Sequence, residues 1–290
     1  MKKNSLWIFI FAAPTMLLYI MIFGAPLIMV FATSFCEYTG FIKPRFIGLE
    51  NYLNLLFRDT NFRAAFVNTC VWILLQVFVH VSFGTIVALV LSRKPFGWKF
   101  VRTSFMMTNI IPTAAIGMMY IIMCNPEIGL INAIIHSVGF KDFNPNWFGD
   151  SAYAFYSATA TWLLYAPFIT IFIMSEIGTI SPSVFESARV DGASNFKIDL
   201  YITLPMLKNI ISTCVILAVS SMITEFDVIY MTTKGGPGTT TLNLPMYLYK
   251  TANLEMNYGM SNTIGVFQIL FGITLVLLVG KIFSLGKSNT

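Results

Sequence analysis

The chain has 290 residues, of which 56% are hydrophobic, 15% aromatic and only 11% charged. A soluble domain averages about 25% charged residues, so this chain carries too little charge to cover a water-facing surface. The composition argues against a soluble enzyme, a disordered protein and a nucleic-acid binder, and the net charge of +5 matters through its placement. These properties predict an all-α integral membrane protein.

Six apolar segments are long enough to cross a bilayer, which takes about 20 helical residues. In chain order they are 6–34, 65–92, 101–123, 152–178, 209–231 and 261–285. The first follows Lys2 and Lys3, so a cleaved signal peptide is an alternative, but its apolar stretch is far longer than the roughly 7–15 residues of a signal peptide's apolar region. We therefore predict a first helix with its outer loop (1–64), a core transmembrane domain (65–285) and a short tail (286–290).

The positive charges predict that both termini are cytoplasmic. Eleven of the 18 Lys and Arg residues lie at one set of span ends: Lys2, Lys3, Arg93, Lys94, Lys99, Arg102, Arg189, Lys197, Lys208, Lys281 and Lys287. The other seven are Lys43, Arg45, Arg58, Arg63, Lys141, Lys234 and Lys250, and four of these share one longer loop. Because short basic loops face the cytoplasm, the turn at 93–100 marks the inner side. An even number of spans agrees with this orientation.

Spans three to five contain polar residues and prolines that lipid would reject. They are Thr108, Asn109, Pro112, Thr113, Thr161, Trp162, Tyr165, Pro167, Glu225 and Asp227. Interrupted backbone and carboxylates at membrane depth normally face water, protein or a ligand, which predicts a polar passage through the bundle. The alternative for each residue is helix–helix packing, in which Thr, Ser and Asn also take part.

The inner loop at 181–205 carries the strongest local signals. Pro182 suits a first helical turn, and Ser183 with Glu186 fits the capping box Ser-x-x-Glu. Gly192 follows where a helix can reverse through a left-handed residue. The loop therefore begins with a short helix whose apolar side is formed by Val184, Phe185 and Ala188.

A second short helix is predicted after Gly192. Ser194 can cap it, Phe196 and Leu200 lie along it, and Pro205 is expected to stop it before the next span. The loop should fold as helix–turn–helix against the inner end of the bundle. A folded loop of this kind is suited to dock another protein.

The spacing in this loop resembles a known motif. Glu186-Ser187-Ala188, three residues, Gly192, nine residues and Ile202-x-Leu204-Pro205 is similar to the EAA-x3-G-x9-I-x-LP motif of permease subunits of bacterial ABC importers. The departure is Ser187, where a second alanine is usual. An ordinary amphipathic connector is the alternative reading, which so many fixed positions disfavour.

Other segments extend this resemblance over nearly the whole chain. They are Leu49-Glu50-Asn51-Tyr52, 125–132, Trp147-Phe148, 226–230 and Gly235-Gly236-Pro237. They resemble the carbohydrate-importing branch, with its maltose-permease-F-like and glycerol-phosphate-permease-A-like subunits.

The resemblance implies a six-helix type I importer permease fold, a bacterial inner-membrane location, and carbohydrate uptake. It also implies the partners: a second homologous permease, a dimer of ATPase subunits that binds ATP and Mg, an extracytoplasmic solute-binding protein, and membrane lipid. The chain itself is expected to need no cofactor, no metal and no nucleic acid, and to have no catalytic residues. The Gly235–Gly238 segment is flexible turn chemistry that either contacts the binding protein or simply connects two elements.

The resemblance also carries site residues over to this chain. Coupling to the ATPase is expected at Glu186, Ser187, Ala188, Asp191 and Gly192, and sugar contacts at Asn109, Thr113, Leu164, Tyr165, Phe168, Ser221 and Met222. Glu225 is added because a carboxylate in the fifth span is costly unless it meets a polar partner, and Asp227, two residues on, points about 200° away. We interpret Asp227 as structural.

The chain shows no catalytic constellation of its own. His80 and His136 are far apart, and we predict that His80 is packed within the bundle rather than catalytic. The four scattered cysteines are interpreted as small apolar residues, and the segment from Gly280 to Ser288 resembles a phosphate-binding loop but has the wrong spacing. Two further functions stay open: an ABC permease for a non-sugar solute, and an ion-coupled secondary transporter, which would show paired intramembrane charges and inverted repeats.

Overall fold

The computed structural model describes residues 2–41 and 43–283, and these are mostly helical. In chain order the helices are α1 (Lys2–Tyr19), α2 (Ala25–Thr33), α3 (Glu50–Phe57), α4 (Thr60–Leu75), α5 (Val81–Ser92), α6 (Trp98–Met107), α7 (Thr113–Met123), α8 (Leu130–Ser137), α9 (Ala154–Ala160), α10 (Pro167–Ile177), α11 (Pro182–Val190), α12 (Asn195–Ile198), α13 (Leu204–Met206), α14 (Lys208–Ile223), α15 (Asp227–Thr232), α16 (Leu244–Asn253) and α17 (Tyr258–Ile282). Wider π turns occur at Ile20–Gly24, Gln76–His80 and Asp199–Thr203, and a tighter 3-10 turn at Thr108–Ile110. A two-residue hairpin pairs β1 (Cys36–Glu37) with β2 (Arg45–Phe46).

Within the described residues, four helices are long and apolar enough to cross a membrane. They are Phe9–Thr33, Thr60–Ser92, Lys208–Thr232 and Tyr258–Ile282, and they agree with the predicted first, second, fifth and sixth spans. No part of the most apolar window of Phe9–Thr33 is buried within the chain. Such a surface needs lipid or another protein chain to cover it.

The predicted third and fourth spans, 101–123 and 152–178, are interrupted beside their prolines, as the sequence predicted. The first breaks at residues 108–112 and the second at residues 161–166. Both breaks precede a proline-started helix: Pro112 is the N-cap of α7 and Pro167 begins α10. Proline has no N–H and clashes with the preceding turn, so a helix restarts there more easily than it continues.

The chain divides into two compact units. The described parts of Met1–Phe62 and Tyr247–Leu270 form one, and those of Arg63–Met246 and Phe271–Thr290 form the other. The predicted tail at 286–290 and most of the imitation phosphate loop lie outside the described residues.

In the first unit, the start of α17 is held against the chain that follows α2. Asn51 donates from Nδ2 to the carbonyls of Ser34 (3.0 Å) and Cys36 (2.9 Å), and the Thr263 hydroxyl also donates to Ser34 O (3.0 Å). A Cβ on Gly259 would lie 2.1 Å from Cys36 O, so only glycine allows this approach.

This unit also contains a buried tyrosine paired with a carboxylate. The Tyr247 hydroxyl donates to Asp59 Oδ2, while Asp59 Oδ1 accepts the Phe62 N–H and so caps the start of α4. Burial, and then the hydrogen bond to Asp59, raise the pKa of the Tyr247 phenol. The neutral hydroxyl is therefore the form that the fold stabilises.

The second unit is organised around two close helix pairs. In the first, α5 packs on α10: a Cβ on Gly84 would lie 2.8 Å from Ile169 Cβ, and the Thr170 hydroxyl donates to Gly84 O (3.1 Å). In the second, α7 packs on α15, where a Cβ on Gly117 would lie 2.9 Å from Met231 Cβ. Small residues let helix backbones approach closely in membrane proteins.

The loop after α15 is held by hydrogen bonds on both sides of Pro237, and the flexibility of the Gly235–Gly238 segment stays a prediction. Asn68 donates from Nδ2 to the carbonyls of Thr239 (3.1 Å), Thr240 (3.1 Å) and Leu242 (2.9 Å). Thr241 is fully buried and donates to Gly236 O (2.8 Å). The turn residues alone could not predict these bonds, because Asn68 lies on α4, far away in the sequence.

Candidate docking loop and transport site

The docking loop, residues 181–205, begins with α11, and a bend of 77° separates this helix from α10. Pro182 occupies the first turn, as predicted, and Ser181 is the N-cap. The predicted capping box does not form: the Ser183 hydroxyl contacts that of Ser181 at 2.8 Å, and no side chain caps the helix. The helix begins two residues earlier than a cap at Ser183 requires, because Ser181 is the N-cap and Pro182 suits the first helical position.

The turn after α11 follows the prediction. Gly192 has φ +77°, its N–H donates to Arg189 O (3.0 Å), and the Ala193 N–H donates back to Ala188 O (2.9 Å). This is the bonding of a Schellman-type helix end. Ser194 then accepts the Lys197 N–H at 3.4 Å and caps α12, as expected.

Pro205 does not stop the second helix, which corrects that prediction. The chain passes from α12 through the π turn Asp199–Thr203 into α13, and Pro205 lies inside α13. The interruption comes instead at Leu207, before α14. Widened turns relieve the loss of a backbone donor, so a proline can follow one without ending the helix.

The loop has one face against the bundle and one face towards solvent. Ala188 and Ile198 are 6% and 4% exposed, whereas Val190 and Phe196 are 87% and 73% exposed. Glu186, Ser187, Asp191 and Gly192 are also exposed, so of the five predicted coupling residues only Ala188 is buried. Exposed apolar side chains beside a carboxylate form a surface suited to bind another protein.

The predicted sugar-contacting residues cluster around three interruptions, which we call the helix breaks: residues 108–112, 161–166 and 224–226. Each of the eight candidates lies in a break or within three residues of one. The breaks are close to one another, because α15 contacts both α7 and α9, and the turn Thr108–Ile110 contacts α10. Non-helical backbone at membrane depth is tolerated beside a cavity or inside protein.

One hydrogen bond joins two of these breaks. The Thr113 hydroxyl donates to Asp227 Oδ2 at 2.9 Å, and so ties the start of α7 to the start of α15. Asp227 is the first residue of α15, where a negative charge also favours the helix N-terminus. The structural interpretation of Asp227 agrees with this contact.

The predicted contact residues differ in whether a ligand can reach them. Asn109, Thr113 and Ser221 are exposed, Leu164 is 57% exposed and Phe168 is 46% exposed. The Tyr165 hydroxyl is buried and has no hydrogen-bond partner within the part of the chain that the structure describes. Polar and aromatic groups of this kind suit a carbohydrate, because sugar rings have both apolar faces and hydroxyl edges.

Met222 and Glu225 have structural surroundings. Met222 is 4% exposed, and Glu225 Oε1 accepts the Val228 N–H at 3.1 Å, so the carboxylate caps α15. Asn243 donates to the Glu225 carbonyl and fixes the backbone of this break. The capping of the Val228 N–H is a sufficient reason for a glutamate at position 225, so a sugar contact is not needed to explain it.

Two residues of the second span hold the fourth span at its break. His80 Nδ1 lies 3.1 Å from Leu163 O, and Trp72 Nε1 donates to Thr159 Oγ1 at 2.8 Å. The prediction that His80 is packed is confirmed, since it is 8% exposed and bonds to a carbonyl that the break leaves free. Sequence reasoning missed this support, because nothing local links 72–80 to 159–163.

Residues 80–285 match the family described as "Binding-protein-dependent transport system inner membrane component". The chain is similar to the sulfoquinovosyl glycerol transport system permease protein SmoG of Agrobacterium fabrum, at 31% identity over 87% of this chain and 84% of that protein. It is similar to the trehalose/maltose transport system permease protein MalF of Thermococcus litoralis, at 30% identity over 82% and 81%. Its fold matches a chain in the crystal structure of a bacterial alginate ABC transporter in complex with alginate pentasaccharide-bound periplasmic protein, with a TM-score of 0.84, 18% identity, and coverage of 97% and 94%.

Proposed function

Because the chain belongs to the family of binding-protein-dependent transport system inner membrane components, we propose that it is a permease subunit of an ATP-driven carbohydrate importer. It forms half of the translocation pathway, and a second, homologous permease forms the other half. ATP and Mg are bound by a dimer of separate ATPase subunits, and an extracytoplasmic solute-binding protein delivers the sugar. The chain itself is a transport component rather than an enzyme.

The assignment of carbohydrate cargo rests on the relatives. The names of SmoG and MalF refer to sulfoquinovosyl glycerol and to trehalose and maltose, and the similar transporter of known structure handles alginate. The polar and aromatic residues at the helix breaks support the same cargo class. A cargo-binding assay on the matching solute-binding protein separates a carbohydrate importer from a permease for another solute.

The single observation that carries the proposed mechanism is the docking loop with its exposed face. Val190 and Phe196 are exposed, and so are Glu186 and Asp191 of the same loop. An ATPase cleft that covers this face moves α11 as a rigid body, because the Gly192 turn and the buried Ala188 fix the helix to its surroundings.

We further propose a six-span arrangement in a bacterial inner membrane, with both termini cytoplasmic. Two of the six spans are then the interrupted pairs α6–α7 and α9–α10. Their breaks, together with that at 224–226, line the passage, and Asn109, Thr113, Leu164, Tyr165, Phe168 and Ser221 contact the sugar. We assign Met222 and Glu225 to the wall of this passage, which they support from behind.

The test uses the full transporter, purified with its partner subunits and reconstituted in vesicles. Glu186→Ala and Gly192→Val are expected to insert and assemble but to lose carbohydrate-stimulated ATP hydrolysis. Alanine removes the polar contact, and valine is strained at φ +77°.

The controls are chosen to match each substitution. Glu127→Ala removes an exposed glutamate from the outer loop, and Gly48→Val introduces the same strain at φ +64°, again with nothing within 4 Å of the new Cβ. Wild-type stimulation in both docking-loop variants would contradict the proposed coupling. Failure of the wild-type ATPase to co-purify with this chain would remove the importer itself.

A further inference from the structure

Arg93 connects the inner end of the second span to the docking loop. It is the C-cap residue of α5, and it forms an ion pair with Asp199, just after α12. The same Nη2 group donates to the Asn195 carbonyl at 3.2 Å, at the start of α12. One nitrogen of the guanidinium therefore contacts both ends of a single helical turn of the loop.

The surroundings of this pair are preorganised. Arg93 is followed by Lys94 at φ +52° and by Pro95, whose carbonyl accepts the Trp98 N–H at 3.0 Å, so the turn has little freedom. A small cavity of about 120 Å³ lies beside the pair and is lined by Phe185 of α11 and Ile177 of α10, among others. The contact thus lies where the span ends and the two loop helices meet.

This contact gives the docking loop a second attachment to the same pair of spans. The loop joins α10 covalently through residues 178–181, and α10 is packed on α5 at Gly84. Arg93 ties the far half of the loop, around Asn195 and Asp199, to α5 as well. A docking loop that is attached to the spans at two points transmits rotation as well as translation to them. A loop attached at one point could rotate about that point without moving the spans.

We propose that Arg93 is a positioning residue for energy coupling: its pairing with Asp199 makes the docking loop and the α5–α10 pair move as one body. The side chains of Arg93 and Asp199 are 41% and 21% exposed, and an ion pair at such exposure adds little to stability. Its effect is therefore on the direction of movement rather than on folding. This inference rests on the proposed function, because coupling presupposes a partner ATPase.

The experiment compares Arg93→Gln, Asp199→Asn and the exchange Arg93→Asp with Asp199→Arg in the full reconstituted transporter. We expect each single variant to assemble and to hydrolyse ATP, but to transport roughly fivefold less carbohydrate per ATP or worse, and the exchange to recover part of that ratio. Lys94→Gln is the matched control, because it removes a positive charge from the same turn, and it should behave as wild type. Transport per ATP unchanged in Arg93→Gln, or no recovery in the exchange, overturns the proposal.

A second readout does not depend on cargo. Hydrogen exchange of the amides at 195–203 should be faster in Arg93→Gln than in wild type and unchanged in Lys94→Gln, measured on the assembled complex without carbohydrate. Equal exchange in wild type and Arg93→Gln overturns the attachment. If the wild-type complex shows no response to any carbohydrate while the exchange difference is present, the proposed cargo fails and the attachment stands.

Discussion

Individual residues near the helix breaks divide into those that a ligand reaches and those that support the fold. Phe168 is 46% exposed and packs edge-on against Phe172 at 4.5 Å between ring centroids, so one face of its ring stays available. Met222 and Glu225, in contrast, use their side chains within the protein. Exposure and bonding separate these roles, although residue type alone does not.

At this scale we predict that Phe168→Ala and Asn109→Ala raise the KM for carbohydrate transport. Loss of the Phe168 ring as a stacking surface should weaken the affinity for the sugar by about threefold to tenfold. Transport assays on reconstituted vesicles measure the change, and Phe57→Ala, an exposed phenylalanine of α3, is the control.

Met222→Ala should give the opposite pattern. Because Met222 is buried, its truncation is expected to lower the free energy of unfolding by about 2–5 kcal/mol. The KM should stay near the wild-type value. Unchanged KM in Phe168→Ala and Asn109→Ala would remove both from the sugar site and leave helix packing as their role.

The helices themselves form two close pairs, and the tighter of the two depends on Gly84. A Cβ at this position would lie 2.8 Å from Ile169 Cβ and 3.1 Å from Ala166 Cβ. Neither neighbour is the flexible end of a long side chain, so the helices must separate to admit it.

We therefore expect Gly84→Ala to destabilise the protein by roughly 1–3 kcal/mol, the usual cost of overpacking. Thermal unfolding in detergent measures the effect. Gly280→Ala is the control: it lies in α17 with nothing within 4 Å of the added Cβ, and alanine there should be neutral or slightly stabilising. Equal melting temperatures for the two variants would mean that α5 and α10 do not pack as described.

For the whole molecule, the sidedness of the loops decides whether the docking loop meets an ATPase. The turn at 93–97 and the docking loop should both face the cytoplasm, and the loop at 124–151 should face outward. In a background without Cys36, Cys70, Cys124 and Cys214, we expect a cysteine at Phe140 to react with an impermeant maleimide in intact cells. A cysteine at Phe96, which is fully exposed, should react only after permeabilisation.

Labelling of both positions from the same side would contradict the six-span arrangement. Labelling of Phe96 alone in intact cells would reverse the orientation, and would place the docking loop where no ATP is available.

The sequence by itself determined the membrane class, the positions of the first, second, fifth and sixth spans, and the docking loop with its Gly192 turn. These depend on hydropathy over about 20 residues and on backbone preferences of single residues, which are local properties. Two local predictions were wrong: Ser183 does not cap α11, and Pro205 does not end the second helix of the docking loop. In both places the neighbouring turns set the ends of the helices.

Only the tertiary structure decided how distant residues meet. His80 supports the break at 161–166, Asn68 binds the loop after α15, about 170 residues away, and Arg93 reaches the docking loop. It also decided that Glu225 caps a helix. Such contacts arise when separate helices pack and bring polar groups together in an apolar environment, and no pattern along a single segment encodes that encounter.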